Sequence, residues 1–386
     1  MSAPTAKPYQ GFEQGPIRPP SEAGSLLLRV MRNCAWNRCS FCPLYKSSQF
    51  SRRSVEHVKR DIDAVRASIE AIRQQQADAG APWPPAPWPV DLSFSRLDSQ
   101  AFQAAWHWVK NGQQQVFLQD ADALALKPED LLEILRYLTQ TFPSITRVTC
   151  YTRSSTVYRL PDETLVALRD AGLTRVHIGL ESGSDKVLRM VRKGATHKMH
   201  VTAGQKVKAA GLELSEYYMP GLGGRDLWEE NATETARALN QINPDFIRLR
   251  TLALPLDAPL AAQTAEGRFA LPSDDLMARE LLLFLESLRG ITSRVQSDHI
   301  VNLLPEVEGI LPDDRERMLE VIRSYLRLDP ERRTLYKVGR RLGFFSGLRD
   351  LDHPERAAQI ARYCQQHEIT PDTVEAFTTE LMRRYI

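Results

Sequence analysis

The sequence Cys34-Ala-Trp-Asn-Arg-Cys39-Ser-Phe-Cys42 follows the apolar run Ser-Leu-Leu-Leu-Arg-Val-Met at residues 25–31. Three of the five cysteines therefore lie in one short loop, directly after a segment with the composition of a buried strand. Thiolates with this spacing can converge on one metal centre, because a Cys-x-x-Cys turn directs both sulfurs to the same side. The stretch predicts a metal site at the end of the first strand.

The composition is that of a soluble globular enzyme, with 386 residues, 42% hydrophobic and 25% charged. Fifty basic and 48 acidic residues leave a net charge of +2, so no overall basic field favours nucleic acid. The amino terminus lacks the apolar core of a signal peptide, and no apolar run is long enough to span a bilayer. We expect a cytoplasmic protein without a disulfide framework.

Apolar runs alternate with amphipathic stretches over most of the chain. The run at residues 25–31 is the first predicted strand, and residues 55–72 carry apolar side chains at steps of three and four, which predicts a helix. Further strands are predicted at residues 116–118, 145–151, 176–180, 212–219 and 246–254. Helices are predicted between them at residues 128–141, 161–171, 186–192, 199–210 and 227–240. Six strands with helical crossovers predict an α/β fold whose parallel sheet is curled or closed, two units short of a complete barrel.

Three regions differ in pattern. Residues 1–24 hold five prolines and should run extended. Residues 25–255 form the predicted barrel, with an insertion at about 46–112 that includes the proline-rich stretch 81–90. Residues 256–386 show mainly helical periods.

Several metal centres are compatible with the cysteine loop alone. A structural zinc needs a fourth ligand, for which His57 and the distant Cys150 are the candidates. The C-x4-C-x2-C spacing also occurs in plant-type ferredoxins, which add a fourth cysteine. Three thiolates can instead hold a [4Fe-4S] cluster and leave one iron open, as a catalytic centre requires. Cys150 and Cys364 are more typical of buried core residues.

The loop resembles the cluster motif of the radical SAM superfamily, although the usual spacing is C-x3-C-x2-C and this loop is one residue longer. The resemblance implies a partial (β/α)6 TIM-type barrel and a [4Fe-4S] cluster on Cys34, Cys39 and Cys42. It also implies that S-adenosylmethionine binds the fourth iron. Phe41 lies directly before the last cysteine, where the family also has an aromatic residue.

The sequence Val-His-Ile-Gly-Leu-Glu-Ser-Gly at residues 176–183 is similar to the branches that include oxygen-independent coproporphyrinogen oxidase, the methylthiotransferases and the Elongator catalytic subunit. This resemblance implies that Glu181 accepts hydrogen bonds from the ribose hydroxyls, with Ser182 beside it. Arg192 or Lys193 would meet the methionyl carboxylate. The alternative is an ordinary strand-end Glu with a capping Ser.

Three other segments complete the resemblance. Asp120 or Asp122 would accept the methionyl ammonium, or both are merely acidic turn residues. Residues 217–224, Tyr-Tyr-Met-Pro-Gly-Leu-Gly-Gly, resemble the adenine-contacting segment and include Met219 and Gly221. Arg153, after the third strand, could add a polar contact or form a salt bridge.

The function implied is reductive cleavage of S-adenosylmethionine to a 5'-deoxyadenosyl radical, which abstracts hydrogen from an unidentified substrate. A small-molecule substrate is favoured over nucleic acid, with a flavodoxin- or ferredoxin-type electron donor. Two alternatives are an iron-sulfur electron carrier or redox sensor, and a tRNA-modifying enzyme that uses four basic side chains with Trp36. Those basic residues are Arg52, Arg53, Lys59 and Arg60.

Overall fold

The computed structural model describes residues 8–83 and 97–384, which form an α/β fold. The strands are β1 (Leu26–Arg29), β2 (Met31–Arg32), β3 (Ser51–Arg52), β4 (Gln115–Gln119), β5 (Arg147–Thr152), β6 (Arg175–Glu181), β7 (Glu213–Tyr218), β8 (Phe246–Leu249), β9 (Arg294–Gln296) and β10 (Gly309–Ile310). The helices are α1 (Val55–Asp78), α2 (Ser99–Lys110), α3 (Pro128–Thr141), α4 (Ser154–Arg159), α5 (Asp162–Asp170), α6 (Asp185–Met190), α7 (His197–Ala209), α8 (Trp228–Ile242), α9 (Pro259–Ala265), α10 (Asp274–Ser287), α11 (Arg315–Arg327), α12 (Pro330–Arg341), α13 (Pro354–Gln366) and α14 (Val374–Met382).

Local sequence explains where the main helices begin. The Ser54 side chain accepts a hydrogen bond from the His57 amide and caps α1. Pro128 opens α3, where the missing amide of proline has no cost. Ser184 caps α6 by accepting from two backbone amides. Each cap satisfies donors that a helix leaves unpaired at its first turn.

The chain divides into two compact units, and the first comprises the described parts of residues 1–35, 47–177 and 209–213. Here β1, β4 and β5 are parallel neighbours, with Leu26 opposite Val116 and Val116 opposite Val148. Helix α1 buries its apolar stripe, as its sequence period predicts. Helix α2 buries Phe102 and Trp108 in the same unit.

An ion network anchors the amino-terminal segment in the first unit. The Glu13 carboxylate lies 2.8 Å from Arg53 Nε and within salt-bridge distance of Arg29 and Arg32. Arg53 also pairs with the buried Asp61. Phe12 is buried, so this segment adds to the core as well as running along it. The network fixes the chain just before β1.

The second unit comprises residues 36–46, 178–208 and the described part of 214–386. Strands β7 and β8 are parallel, with Ser215 opposite Phe246, and β9 is parallel to β8. Strand β10 pairs antiparallel with β9. An ionic cluster joins the later helices: the buried Lys337 Nζ lies 2.8 Å from Asp275 Oδ1 and also pairs with Glu375.

The predicted α/β class with a parallel sheet is confirmed, and the six predicted strands are present as β1, β4, β5, β6, β7 and β8. Strands β9 and β10 and helix α2 were not predicted. The proline-rich connector predicted at residues 81–90 lies mostly outside the described residues. The boundaries of the predicted regions stay predictions.

Candidate active site

Backbone hydrogen bonds hold the cysteine loop on both sides of Cys39. Cys34 belongs to the first unit, and Cys39 and Cys42 belong to the second. Within the second unit, the Ser40 amide donates to Val191 O at 2.9 Å, and the Leu260 amide donates to Ser40 O at 2.8 Å. The Trp36 indole donates to Arg192 O at 2.8 Å. The part of the loop with Cys39 and Cys42 is therefore fixed to the segment that follows α6 and to the first turn of α9.

Asn37 turns the chain between the first two cysteines. It adopts the left-handed conformation, with φ of 44°, which asparagine tolerates better than most residues. Its side chain donates to Tyr45 O, and its own carbonyl accepts from Lys46 Nζ at 2.9 Å. These contacts join the two ends of residues 37–46 by hydrogen bonds.

Phe41 packs against an apolar cluster that includes Val187, Val191 and Met219. The Lys193 ammonium lies 5.8 Å from the centroid of the Phe41 ring, within range of a cation-π contact. This packing supports the polypeptide next to Cys42. It also connects the loop to the end of β7, where Met219 follows the strand.

The cysteine loop supplies the type of donor that binds an iron-sulfur cluster. Cys34, Cys39 and Cys42 are partly exposed, whereas Cys150 and Cys364 are buried. In residues 8–83 and 97–384, no group of three or more His, Cys, Asp or Glu side chains is arranged to hold one metal ion. Cluster ligands bind different irons, so their sulfurs need not surround one point.

Glu181 and Lys193 form an ion pair at the end of β6. Lys193 Nζ lies 3.1 Å from Glu181 Oε1, and the two side chains are 10% and 13% exposed. Glu181 has a φ of 64°, a conformation that is unusual for a residue other than glycine. A Cβ on Gly179 would come 2.3 Å from Glu181 Oε1 and 3.0 Å from Lys193 Nζ. Glycine at position 179 therefore leaves the space that the pair fills.

The neighbouring predicted residues have distinct environments. Ser182 is buried, and its hydroxyl accepts from the Ser184 amide at 3.1 Å, which shapes the turn before α6. Arg192 is exposed, and its backbone carbonyl accepts from Trp36. Of the two cations predicted to meet a carboxylate, Lys193 is the one that contacts Glu181.

The turn after β7 is held by backbone and side-chain hydrogen bonds. The Met219 amide donates to Glu181 O at 3.0 Å, which ties the turn to the end of β6. Gly221 has a φ of 91°, and its amide donates to Glu280 Oε2 at 2.9 Å. A side chain at position 221 would be strained, which explains the glycine. Glu280 was not among the predicted site residues.

The predicted site residues of the first unit already have partners. Asp120 is buried, its carboxylate lies 2.7 Å from Arg29 Nη2, and it accepts from the Asn33 amide at 3.0 Å. Asp122 accepts from the Thr152 and Thr156 hydroxyls at 2.8 and 2.6 Å, and burial raises the pKa of its carboxyl. The Arg153 amide donates to Asp122 at 3.3 Å. These bonds orient both carboxyl groups.

Glu216 on β7 is a buried acid that sequence reasoning missed. It is 1% exposed, and neither carboxyl oxygen has a hydrogen-bond partner within the described residues. Burial raises the pKa of Glu216 well above its usual value, with a smaller opposing effect of Lys193. Because the folded protein binds this proton more tightly than the unfolded chain, stability falls as pH rises from about 4.5 through the folded pKa.

We expect Glu216→Gln to stabilise the fold near neutral pH by about 1–3 kcal/mol, because the unfolded wild-type chain gains free energy by ionising Glu216, and glutamine cannot ionise. The gain should shrink as pH is lowered and vanish below 4.5, where the wild-type carboxyl is protonated in both states. Urea unfolding at several pH values measures this difference. Glu229→Gln on the exposed surface of α8 is the control and should change stability little. A pH-independent effect of Glu216→Gln would contradict the prediction.

Comparison with known proteins places part of the chain in a family. Residues 88–236 match the model of the Radical SAM superfamily. This part of the chain is similar to the radical SAM domain. The cofactors of this superfamily are a [4Fe-4S] cluster and S-adenosylmethionine, in agreement with the thiol donors of the cysteine loop. No helix among the described residues is long and apolar enough to cross a membrane.

Individual relatives are distant. A tRNA uridine(34) acetyltransferase of Methanocaldococcus jannaschii is 23% identical over 159 residues, which cover 40% of this chain and 28% of that protein. Elp3 of Methanocaldococcus infernus is 14% identical with a TM-score of 0.41, over 66% of this chain and 58% of that chain. Coproporphyrinogen III oxidase of Escherichia coli is 14% identical with a TM-score of 0.41, over 64% of this chain and 49% of that chain. The chain thus spans less than two thirds of the length of each of these proteins.

Proposed function

We propose that the protein is a radical SAM enzyme that abstracts hydrogen from a substrate, with Cys34, Cys39 and Cys42 as the ligands of its cluster. The observation that carries this proposal is the cysteine loop. Its thiols are partly exposed, its backbone is fixed by hydrogen bonds, and its aromatic residue is packed. The chemistry that the bound cofactors supply is reductive cleavage of S-adenosylmethionine and removal of a hydrogen atom by the resulting 5'-deoxyadenosyl radical.

The residues at the end of β6, after α6 and after β7 have the chemistry to bind an adenosyl ligand. Glu181 offers a carboxylate to hydroxyl donors, and Lys193 offers an ammonium to a carboxylate. The two side chains neutralise each other in this structure, so binding would exchange their mutual contact for contacts with the ligand. Met219 and Gly221 would line the apolar side of the site, where the glycine lets a flat ring approach the backbone.

Anaerobic reconstitution of the full chain tests the proposal. Iron and sulfide should load about four irons per chain, and addition of dithionite with S-adenosylmethionine should release 5'-deoxyadenosine, detected by mass spectrometry. A cluster that forms but neither binds nor cleaves S-adenosylmethionine would favour an iron-sulfur electron carrier or redox sensor. Failure to bind iron would exclude both functions.

A tRNA substrate is a second candidate because the matched archaeal relative is named as a tRNA-modifying enzyme. The basic residues that could hold tRNA are largely engaged in other contacts. Arg53 is buried against Glu13 and Asp61. Lys59 and Arg60 pair with carboxylates on α3 and α1. The salt dependence of tRNA binding distinguishes the candidates, because phosphate contacts weaken steeply as salt increases.

A further inference from the structure

Glu280 is a buried acid on α10 that contacts the turn after β7. It is fully buried, as are Tyr218 and Asn231. Glu280 Oε1 accepts from the Tyr218 hydroxyl at 2.7 Å and from the Asn231 amide at 2.6 Å. Glu280 Oε2 accepts from the Gly221 backbone amide at 2.9 Å. One carboxylate thereby joins a strand, a second helix and a turn.

The turn itself is held at successive backbone groups. Asn231 donates to Met219 O at 3.2 Å as well as to Glu280. Pro220 O accepts from the Leu252 amide at 2.9 Å, which ties the turn to the segment after β8. The left-handed Gly221 is the point at which the chain turns, and Glu280 is the group that holds its amide. Loss of the carboxylate would free the turn at this position.

We propose that Glu280 is a positioning residue that sets the affinity of the enzyme for the adenosyl part of its cofactor. This inference rests on the proposed function, since it assumes that Met219 and Gly221 lie beside the adenine. Glu280 acts through the turn and does not itself touch the ligand. An ionised carboxylate suits this role because it can accept all three hydrogen bonds, whereas an amide or a protonated acid carries a donor of its own and cannot accept all three in the same geometry.

The ionisation of Glu280 gives the role a pH signature. Burial raises its pKa to about 7, opposed by the bonds from Tyr218, Gly221 and Asn231. On β7, Tyr218 is the titratable group that faces Glu280. Burial raises the pKa of Tyr218 well above 10. Helix α8 presents the uncharged Asn231. Affinity should therefore fall as pH decreases through 7, when Glu280 takes up a proton and one hydrogen bond is lost.

Calorimetric titration of the reconstituted full chain with S-adenosylhomocysteine, which carries the adenosyl group but is not cleaved, tests the inference. At pH 8, Glu280→Gln should weaken binding by about tenfold or more, with iron content unchanged. The wild-type affinity should approach that of the variant at pH 6. Glu280→Asp, which retains the charge, should recover part of the affinity. Glu286→Gln, at a half-exposed position on the same helix, is the matched control.

The outcomes separate the two proposals. If the wild type binds the ligand and Glu280→Gln binds it equally well at both pH values, the role of Glu280 is overturned alone. If the wild type loaded with iron does not bind the ligand, the proposed function fails and this inference fails with it. If Glu280→Gln does not fold, Glu280→Asp is the deciding variant. The inference would be overturned if this variant bound the ligand as tightly as the wild type and if neither protein lost affinity below pH 7.

Discussion

Replacement of Cys39 and Cys42 by alanine is expected to abolish iron binding and the release of 5'-deoxyadenosine. Both residues lie in the segment that is fixed by the bonds of Ser40 to Val191 and Leu260, so the loop should keep its conformation without them. The thiolates are the donors that a [4Fe-4S] cluster requires, and no other side chain type in the loop replaces them. Activity should therefore fall to background while the fold persists.

The control for this experiment is Cys364→Ala. Cys364 is buried in α13 and lies outside the loop, so its replacement should cost some stability and leave iron content unchanged. Iron and sulfide assays after anaerobic reconstitution, together with circular dichroism, separate the two effects. Retention of about four irons by the Cys39→Ala and Cys42→Ala double variant would show that the cluster lies elsewhere.

Sequence patterns were sufficient where the determinants of structure are local. Helix α3 has the predicted bounds because Pro128 fixes its start and its apolar residues recur at helical steps. The start of helix α2 could also have been predicted from the sequence. Asp98 caps this helix by accepting hydrogen bonds from two backbone amides, and apolar residues follow it at helical steps. Strand β9 has no such signal, because it is three residues long and its pairing with β8 depends on the tertiary fold.

The same distinction applies to the candidate site. The cysteines, Phe41 and Glu181 could be predicted as site residues because they lie within short motifs. Glu280 contacts Gly221 across 59 residues of sequence, and Asp120 contacts Arg29 across 91. Such contacts form only when helices and strands that are distant in sequence pack together. No local periodicity in the sequence predicts them. Buried acids such as Glu216 are likewise recognised only from their surroundings.

Lys193→Met is expected to weaken binding of S-adenosylhomocysteine to the reconstituted protein by about 10- to 100-fold, the effect of losing one charged hydrogen bond. The substitution keeps an unbranched side chain and removes the ammonium, which lies 5.8 Å from the centroid of the Phe41 ring. It also leaves the Glu181 carboxylate, which is only 13% exposed, without the cation that neutralises it. The variant should therefore lose both a ligand contact and some stability.

Lys186→Met is the matched control, because Lys186 also pairs with a glutamate, at 2.8 Å from Glu230, but its side chain is 63% exposed. An exposed pair contributes little to stability, so this variant should unfold and bind the ligand as the wild type does. Comparing the two variants separates the general effect of removing a lysine near α6 from the specific effect of removing the Lys193 ammonium at the end of β6. Equal affinity of Lys193→Met and the wild type would mean that the Glu181–Lys193 pair has only a structural role. Reduced affinity at unchanged iron content would instead locate the carboxylate of the ligand at Lys193.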